Sequence, residues 1–258
     1  MRFAWIVFAM LPSLAPAAEC SVRSGPNTAA LVELYTSEGC SSCPPADRWL
    51  SSFTRVAGNG DVVPMAFHVG YWDYIGWKDV FADKRYTERQ RERAAASGAR
   101  YVYTPQVVLG GRDFPGWSSE RSLTSAFEAI RRKPAPVSLE LTASIAADRT
   151  LSTRLTATRD AKLATRDLAL VTVVTQNGLG SRVTAGENRG ESLRHDFVVR
   201  DLASHRGAGP ATATFKPKPD WNPERMSVAA FVQDLATGEV LQAVSLPLCH
   251  SRGGGNPG

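Results

Sequence analysis

The sequence predicts an α/β domain followed by an all-β sandwich domain, and three observations carry that expectation. Residues 29–69 read strand, helix, strand; "PAP" at 134–136 interrupts the pattern; beyond it, short runs alternate apolar and polar residues between turn signals. A strand, a helix and a parallel strand form a unit that needs its crossover, whereas six or seven short alternating runs suit two packed antiparallel sheets. The expected divisions are a leader over 1–18, the α/β domain over 19–133, the sandwich over 134–250 and a disordered tail over 251–258, "SRGGGNPG" with the Cys249-His250 end before it.

The chain opens "MRFAWIVFAMLPSLAPAAEC", with a positive charge at Arg2, an apolar run over 3–11, and Ala15, Pro16 and Ala17 in an A-x-A arrangement. That is the pattern of a secretory signal peptide cut near Ala17 or Ala18, so a periplasmic or secreted location is expected. The apolar run is shorter than the roughly 20 residues of a membrane-spanning helix. Glu19 stands before Cys20 where a lipidation site needs a small residue, and no membrane anchor is expected. The formal net charge of +5 is dispersed, its longest cationic block being "RRK" at 131–133, which excludes an obvious nucleic-acid footprint.

Within the first domain, "AALVELYTS" (29–37) is an apolar, β-branched strand candidate that runs straight into Cys40 and Cys43. "ADRWLSSFTRVA" from 46 places Trp49, Leu50, Phe53 and Val56 on one helical face, and "VVPMAFHV" (62–69) gives the second strand. After an aromatic connection over 70–81, "DKRYTERQRERAAASG" is helical and closed by Gly98. Its Arg85, Arg89 and Arg93 share one face, read as solvated or as a partner patch. "YVYTPQVVLGGRDF" (101–114) is a strand with a glycine turn, and "SSERSLTSAFEAIRRK" an amphipathic helix with Ser119 and Ser122 as cap candidates. Past 134 the strand candidates are 137–145, 151–158, 168–176, 194–202, 211–217 and a hairpin over 226–248. "GENRG" (186–190) and His195-Asp196 read as turn and strand residues of the sandwich.

Four cysteines in an exported chain invite disulfides. Cys40 and Cys43 are close in sequence, which leaves Cys20 and Cys249 for a structural bridge between the two ends of the mature chain, one of three possible pairings. A structural zinc site needs two further ligands, but there is no second C-x-x-C and the histidines at 68, 195, 205 and 250 lack ligand spacing. No metal and no diffusible cofactor is expected. The C-x-x-C pair then has two readings. As a redox pair, Cys40 meets solvent near a helix N-terminus and is the attacking thiol, while the less exposed Cys43 resolves the mixed disulfide. As a staple, the same bond only fixes a turn. Pro44 and Pro45 disfavour helical geometry in the residue before each, so the helix starts at or after Cys43 and its dipole acts weakly on Cys40.

The order strand, C-x-x-C, helix, strand, helix and then "TP" entering a strand resembles the thioredoxin fold, with Tyr103-Thr104-Pro105-Gln106 where that fold keeps its cis-proline loop. The resemblance implies that Thr104, Pro105 and Gln106 position a partner's backbone by strand addition. More closely, "ELYTSEGCSSCPPAD", "HVGYWDYIGWKDVF", "YTERQR" and "VYTPQVVLGG", with "GENRG" and "LRHDFVVR" farther on, resemble the exported thioredoxin-like proteins of the family DUF1223. That resemblance implies a thioredoxin-like first domain and a redox site, with no defined substrate.

Two further sets of residues are candidates. His68 at a strand end and Asp73 in the aromatic connection are possible proton acceptors for Cys43. Tyr71, Trp72, Tyr74 and Trp77 form a possible binding loop, or else a lid that packs with Trp117 and Trp221. The expected activity is thiol–disulfide exchange with protein thiols or disulfides, or with a redox partner protein. The alternative is a binding module in which Cys40–Cys43 is structural.

Overall fold

The structure is a computed structural model describing residues 19–207 and 209–249. The expected signal peptide (1–18) and tail (251–258) lie outside the described residues. The elements are β1 (Glu19–Arg23), β2 (Ala30–Thr36), α1 (Pro44–Ser51), β3 (Val62–His68), α2 (Lys84–Ala96), β4 (Gln106–Leu109), β5 (Arg112–Asp113), α3 (Glu120–Arg131), β6 (Val137–Ile145), β7 (Leu151–Arg159), β8 (Leu168–Gln176), β9 (Leu179–Arg182), β10 (Ser192–His195), β11 (Val198–Arg206), β12 (Ala211–Phe215), β13 (Met226–Asp234) and β14 (Val240–Pro247). This is a mostly β-sheet α/β fold with several sheets.

One mixed sheet of eight strands, ordered β14-β13-β8-β11-β3-β2-β4-β5, runs through both halves of the chain. The seam is a parallel contact of β11 with β3, where Val198 registers with Ala66 and the Ala66 N–H donates to the Phe197 carbonyl at 2.8 Å. The composition change at 134 therefore marks no break in hydrogen bonding. β1 also crosses it: its five residues pair antiparallel with β6, in a four-stranded sheet β1-β6-β7-β12. Strand β2 lies between parallel β3 and antiparallel β4 and is buried throughout, which is why "ALVELYT" shows no polar-out alternation.

The two faces of the long sheet are covered differently. One face carries a single apolar cluster spanning both halves, from Leu31, Tyr35, Met65 and Phe67 to Val171, Val199 and Phe231, with Tyr86 of α2 on top. The other face is divided. At the β8-β13-β14 end it packs on the four-stranded sheet through Leu139, Leu141, Leu155, Val174 and Val228. At the β2-β3-β4 end, Val32, Leu34, Leu50, Val107, Phe53 and Phe127 pack α1 and α3 against it.

Three local expectations are corrected. The helix expected to carry Val56 tightens into a 3-10 turn over Ser52–Arg55, and Val56 ends up exposed while Leu50 is buried. Strand residues expected from 101 begin only at Gln106, after the proline. The arginine face of α2 is solvated at Arg85 but not at Arg89, which lies against the rings of Phe67 and Phe231 and pairs at 2.6 Å with Glu33, the one carboxylate within β2. A buried carboxylate needs such a partner, since its desolvation would otherwise go uncompensated.

Candidate functional site

The Cys40–Cys43 disulfide sits at the end of the sheet where β2 and β3 both stop. β2 runs into the loop 37–43, and Cys43 caps α1 with backbone already helical. The two Cα atoms are 5.4 Å apart. Tyr35 of β2 registers with Gln106 of β4, so Thr104 and Pro105 precede β4 alongside the cysteine loop, and the Thr104–Pro105 peptide bond is cis. The two prolines decide what the helix start can offer. Pro44 and Pro45 have no N–H, and the Ala46 and Asp47 amides both donate to the Cys43 carbonyl, at 2.9 and 3.1 Å. No unpaired amide of the first turn is left for a thiolate on Cys40.

Cys40 is buried, with 1 % of its surface exposed, against the expectation that it meets solvent. Three sets of contacts close the loop around it. Gly39 lies so close to the aromatic connection that a Cβ there would stand 3.0 Å from the Cβ of Trp72. The Glu38 amide donates to Asp79 at 2.9 Å. From the second half of the chain, the side-chain amide of Asn188 donates to the carbonyls of Glu38 (2.8 Å) and Cys40 (3.0 Å), and the Ser41 amide donates to Glu187 (3.0 Å). These residues of "GENRG" are thus part of the site rather than a remote turn.

Behind the disulfide lies a buried group of ionisable side chains. His68 Nδ1 is 2.7 Å from Asp79, His195 Nε2 is 3.1 Å from Glu38, and His195 Nδ1 is 3.9 Å from Asp47. The two imidazoles meet edge to face with ring centres 4.8 Å apart, and Phe81 packs on both. The Trp77 indole N–H donates to Glu38 at 2.9 Å. Burial works against a charged His68, but the charge and hydrogen bond of Asp79, with Asp47 and Glu38 beyond, outweigh it and hold the imidazole above its ordinary pKa. For Asp79, burial is the largest influence and is overcome by His68 and by the amides of Glu38 and Phe81, leaving it below the ordinary carboxylate range. Asp47 goes the other way: burial raises it, and the attraction of His195 and His68 only partly offsets this. Among the described residues, no group of three or more His, Cys, Asp or Glu side chains is arranged to hold a metal ion.

The other expected site residues divide clearly. Thr104 and Pro105 remain half-exposed beside the cysteine loop, and Thr104 accepts the Trp72 indole N–H at 2.7 Å. Gln106 is turned inward, bound by Gln90 at 2.8 Å and donating to Asp113 at 2.9 Å, so its side chain faces no partner. Asp73 stays in the aromatic connection, where it accepts the Asp79 amide at 3.3 Å. Of the aromatic residues, Tyr71 packs against the core and Trp72 and Trp77 are pinned by their indoles, so Tyr74 alone is displayed. The lid expectation fails for Trp117, which packs on Trp49, whereas Trp221 meets the aromatic connection through Arg200, whose guanidinium lies over both the Trp221 and the Phe81 rings. The structure joins Cys20 to Cys249 in a second disulfide.

Sequence reasoning passed over Glu38, Asp47, Asp79, Asn188 and His195. Asp47 had a usable signal, since it follows Cys43 at helical i, i+4 spacing and so shares its face. Asn188 and His195 lie roughly 150 residues away along the chain, and their one signal was their place in "GENRG" and "LRHDFVVR", two of the stretches that carry the family resemblance.

Fold and site together define an α/β protein with a buried C-x-x-C disulfide backed by ionisable side chains. The family model described as a protein of unknown function, DUF1223, matches residues 31–233, and the chain belongs to that family. Two solved structures are similar. One is the X-ray structure of a protein from Agrobacterium tumefaciens, 27% identical, with a TM-score of 0.63 over 86% of this chain and 96% of that one. The other is HBP35 of Porphyromonas gingivalis, 15% identical, with a TM-score of 0.62 over 87% of this chain and 76% of that one. No curated protein matches the chain.

Proposed function

We propose that the protein is an exported thiol–disulfide oxidoreductase with a thioredoxin-like first half. One observation carries the reading: the C-x-x-C disulfide at the start of α1 lies beside a half-exposed cis-proline loop that opens β4. In the exchange, a thiolate of a dithiol protein attacks the Cys40 sulfur, forming a mixed disulfide while Cys43 leaves as a thiolate. The partner's second thiolate then attacks its own bridged sulfur, closing the partner's disulfide and releasing Cys40. The two enzyme sulfurs gain two electrons and the partner loses two. Asp47, one helical turn past Cys43 and lifted in pKa by burial, exchanges the proton that the Cys43 thiol gains or loses. Two disulfides fit an oxidising compartment, and no helix among the described residues is long and apolar enough to cross a membrane. The disulfides and the leader pattern support a periplasmic or secreted location, and the mass of the mature N-terminus tests it: a chain beginning at Ala18 or Glu19 is expected.

The burial of both cysteines supports a second reading, in which the bond is a fixed staple of a binding module. Replacing Cys43 with Ala in the exported protein separates the two. The enzyme accumulates reductant-sensitive adducts through Cys40, whereas a staple gives none and shows a very negative reduction potential for the wild-type pair.

A further inference from the structure

We propose that Glu187 and Asn188, on the β9–β10 hairpin, form a clasp that controls access to the Cys40–Cys43 disulfide, making the second half of the chain a positioning part of the redox site. The inference deepens the oxidoreductase reading and rests on it. Asn188 is itself buried, and both of its amide contacts go to carbonyls that flank the reactive sulfur, on Glu38 and Cys40. Glu187 is exposed, yet it takes the Ser41 amide. Three polar main-chain groups of the run 38–41 are thus satisfied by a segment that a plain turn of a sandwich would not need. Gly186 brings the segment in: its φ of +73° suits glycine, and a Cβ there would stand 3.1 Å from Ile75 of the aromatic connection. His195 anchors the hairpin base through Glu38.

The hairpin is paired into neither large sheet. β9 and β10 pair only with each other, in a two-stranded sheet, as an excursion over 177–197 between β8 and β11, which are neighbours in the long sheet. A lone two-stranded hairpin is marginal in water, so its place depends on what it grips. Releasing the grip exposes Cys40 without breaking a strand pairing of either large sheet, the kind of local opening that sets access to a protected group.

The test uses the oxidised, folded mature chain and reduced glutathione, with alkylation and mass spectrometry reporting each disulfide separately. In Asn188→Ala, reduction of Cys40–Cys43 is expected to accelerate about tenfold, the scale of one lost tie in a local opening equilibrium, while Cys20–Cys249 keeps its wild-type rate. An unchanged Cys40–Cys43 rate overturns the clasp, and so does equal acceleration of both bonds, which signals general loosening. If Asn188→Ala does not accumulate, Glu187→Ala decides: selective acceleration of Cys40–Cys43 supports the clasp, and no change overturns it. Glutathione needs no partner protein, so this outcome is independent of the mixed-disulfide experiment. A failure of the oxidoreductase reading shows in that trap alone.

Discussion

The two disulfides differ in the length of chain they close and in what surrounds them. Cys20–Cys249 joins positions 229 residues apart, tying β1 to the segment after β14, and Cys20 packs against the apolar core between the two large sheets. Cys40–Cys43 spans three residues, sits in a loop, and has Glu38, Asp47, Asp79, His68 and His195 behind it. By the loop-entropy relation the long bridge stabilises by up to about 5 kcal/mol and the short one by about 2 kcal/mol. The difference teaches that a staple is placed where it shortens the unfolded chain most. The short bond is surrounded instead by costly buried charge, which a bond of purely local effect does not require.

The largest test breaks the first side of that comparison. Replacing Cys20 and Cys249 together with Ser is expected to lower unfolding free energy by up to about 5 kcal/mol in denaturant titration, while the exchange activity of Cys40–Cys43 on a thiol substrate stays at the wild-type rate. Loss of both would place the two bonds in one functional unit. Next in size is the ionisable group. His68 has a raised folded-state pKa, so its contribution is complete below its ordinary value of 6.5 and is lost as pH rises through the folded value. Asp79 has a lowered one, so its contribution is complete above its ordinary 3.8 and is lost as pH falls through the folded value. Both act between these limits. Asp79→Asn is expected to remove on the order of 3 kcal/mol there and to flatten stability against pH, measured by denaturation at several pH values. The smallest effect belongs to the short bond: Cys40→Ser with Cys43→Ser is expected to cost about 2 kcal/mol and to abolish exchange altogether. A stability loss as large as that of the long bridge would favour the staple reading.

Much of the site was legible because its signals are local. The apolar run before Cys40, the prolines after Cys43 and the "TPQ" sequence define the loop, the helix start and the cis-proline position within a few residues each. Glu33 inside "AALVELYTS" was also a signal, since a carboxylate in a buried strand calls for a cation, and Arg89 supplies it across the sheet face. The expectation of a solvated arginine face held at Arg85 and failed at Arg89, because helical spacing says which residues share a face, not what the face meets. The exposure of Cys40 was misjudged for a similar reason. Local spacing describes the turn, while Asn188, Glu187 and Trp72 cover it.

By itself the sequence determined the β2–α1–β3 unit, the two later helices and the place of the C-x-x-C at a proline-marked helix start, but not β1, β9 or the break between β10 and β11. The determined features rest on periodicity, turn chemistry and backbone restriction, all set within a turn or two of chain. Only the tertiary structure decided that β11 joins β3 to make one sheet of two halves, and that the hairpin at 179–195 closes on Cys40. A strand's free edge and a loop's unpaired carbonyls accept any geometrically suitable partner, and which one arrives depends on how the whole chain packs.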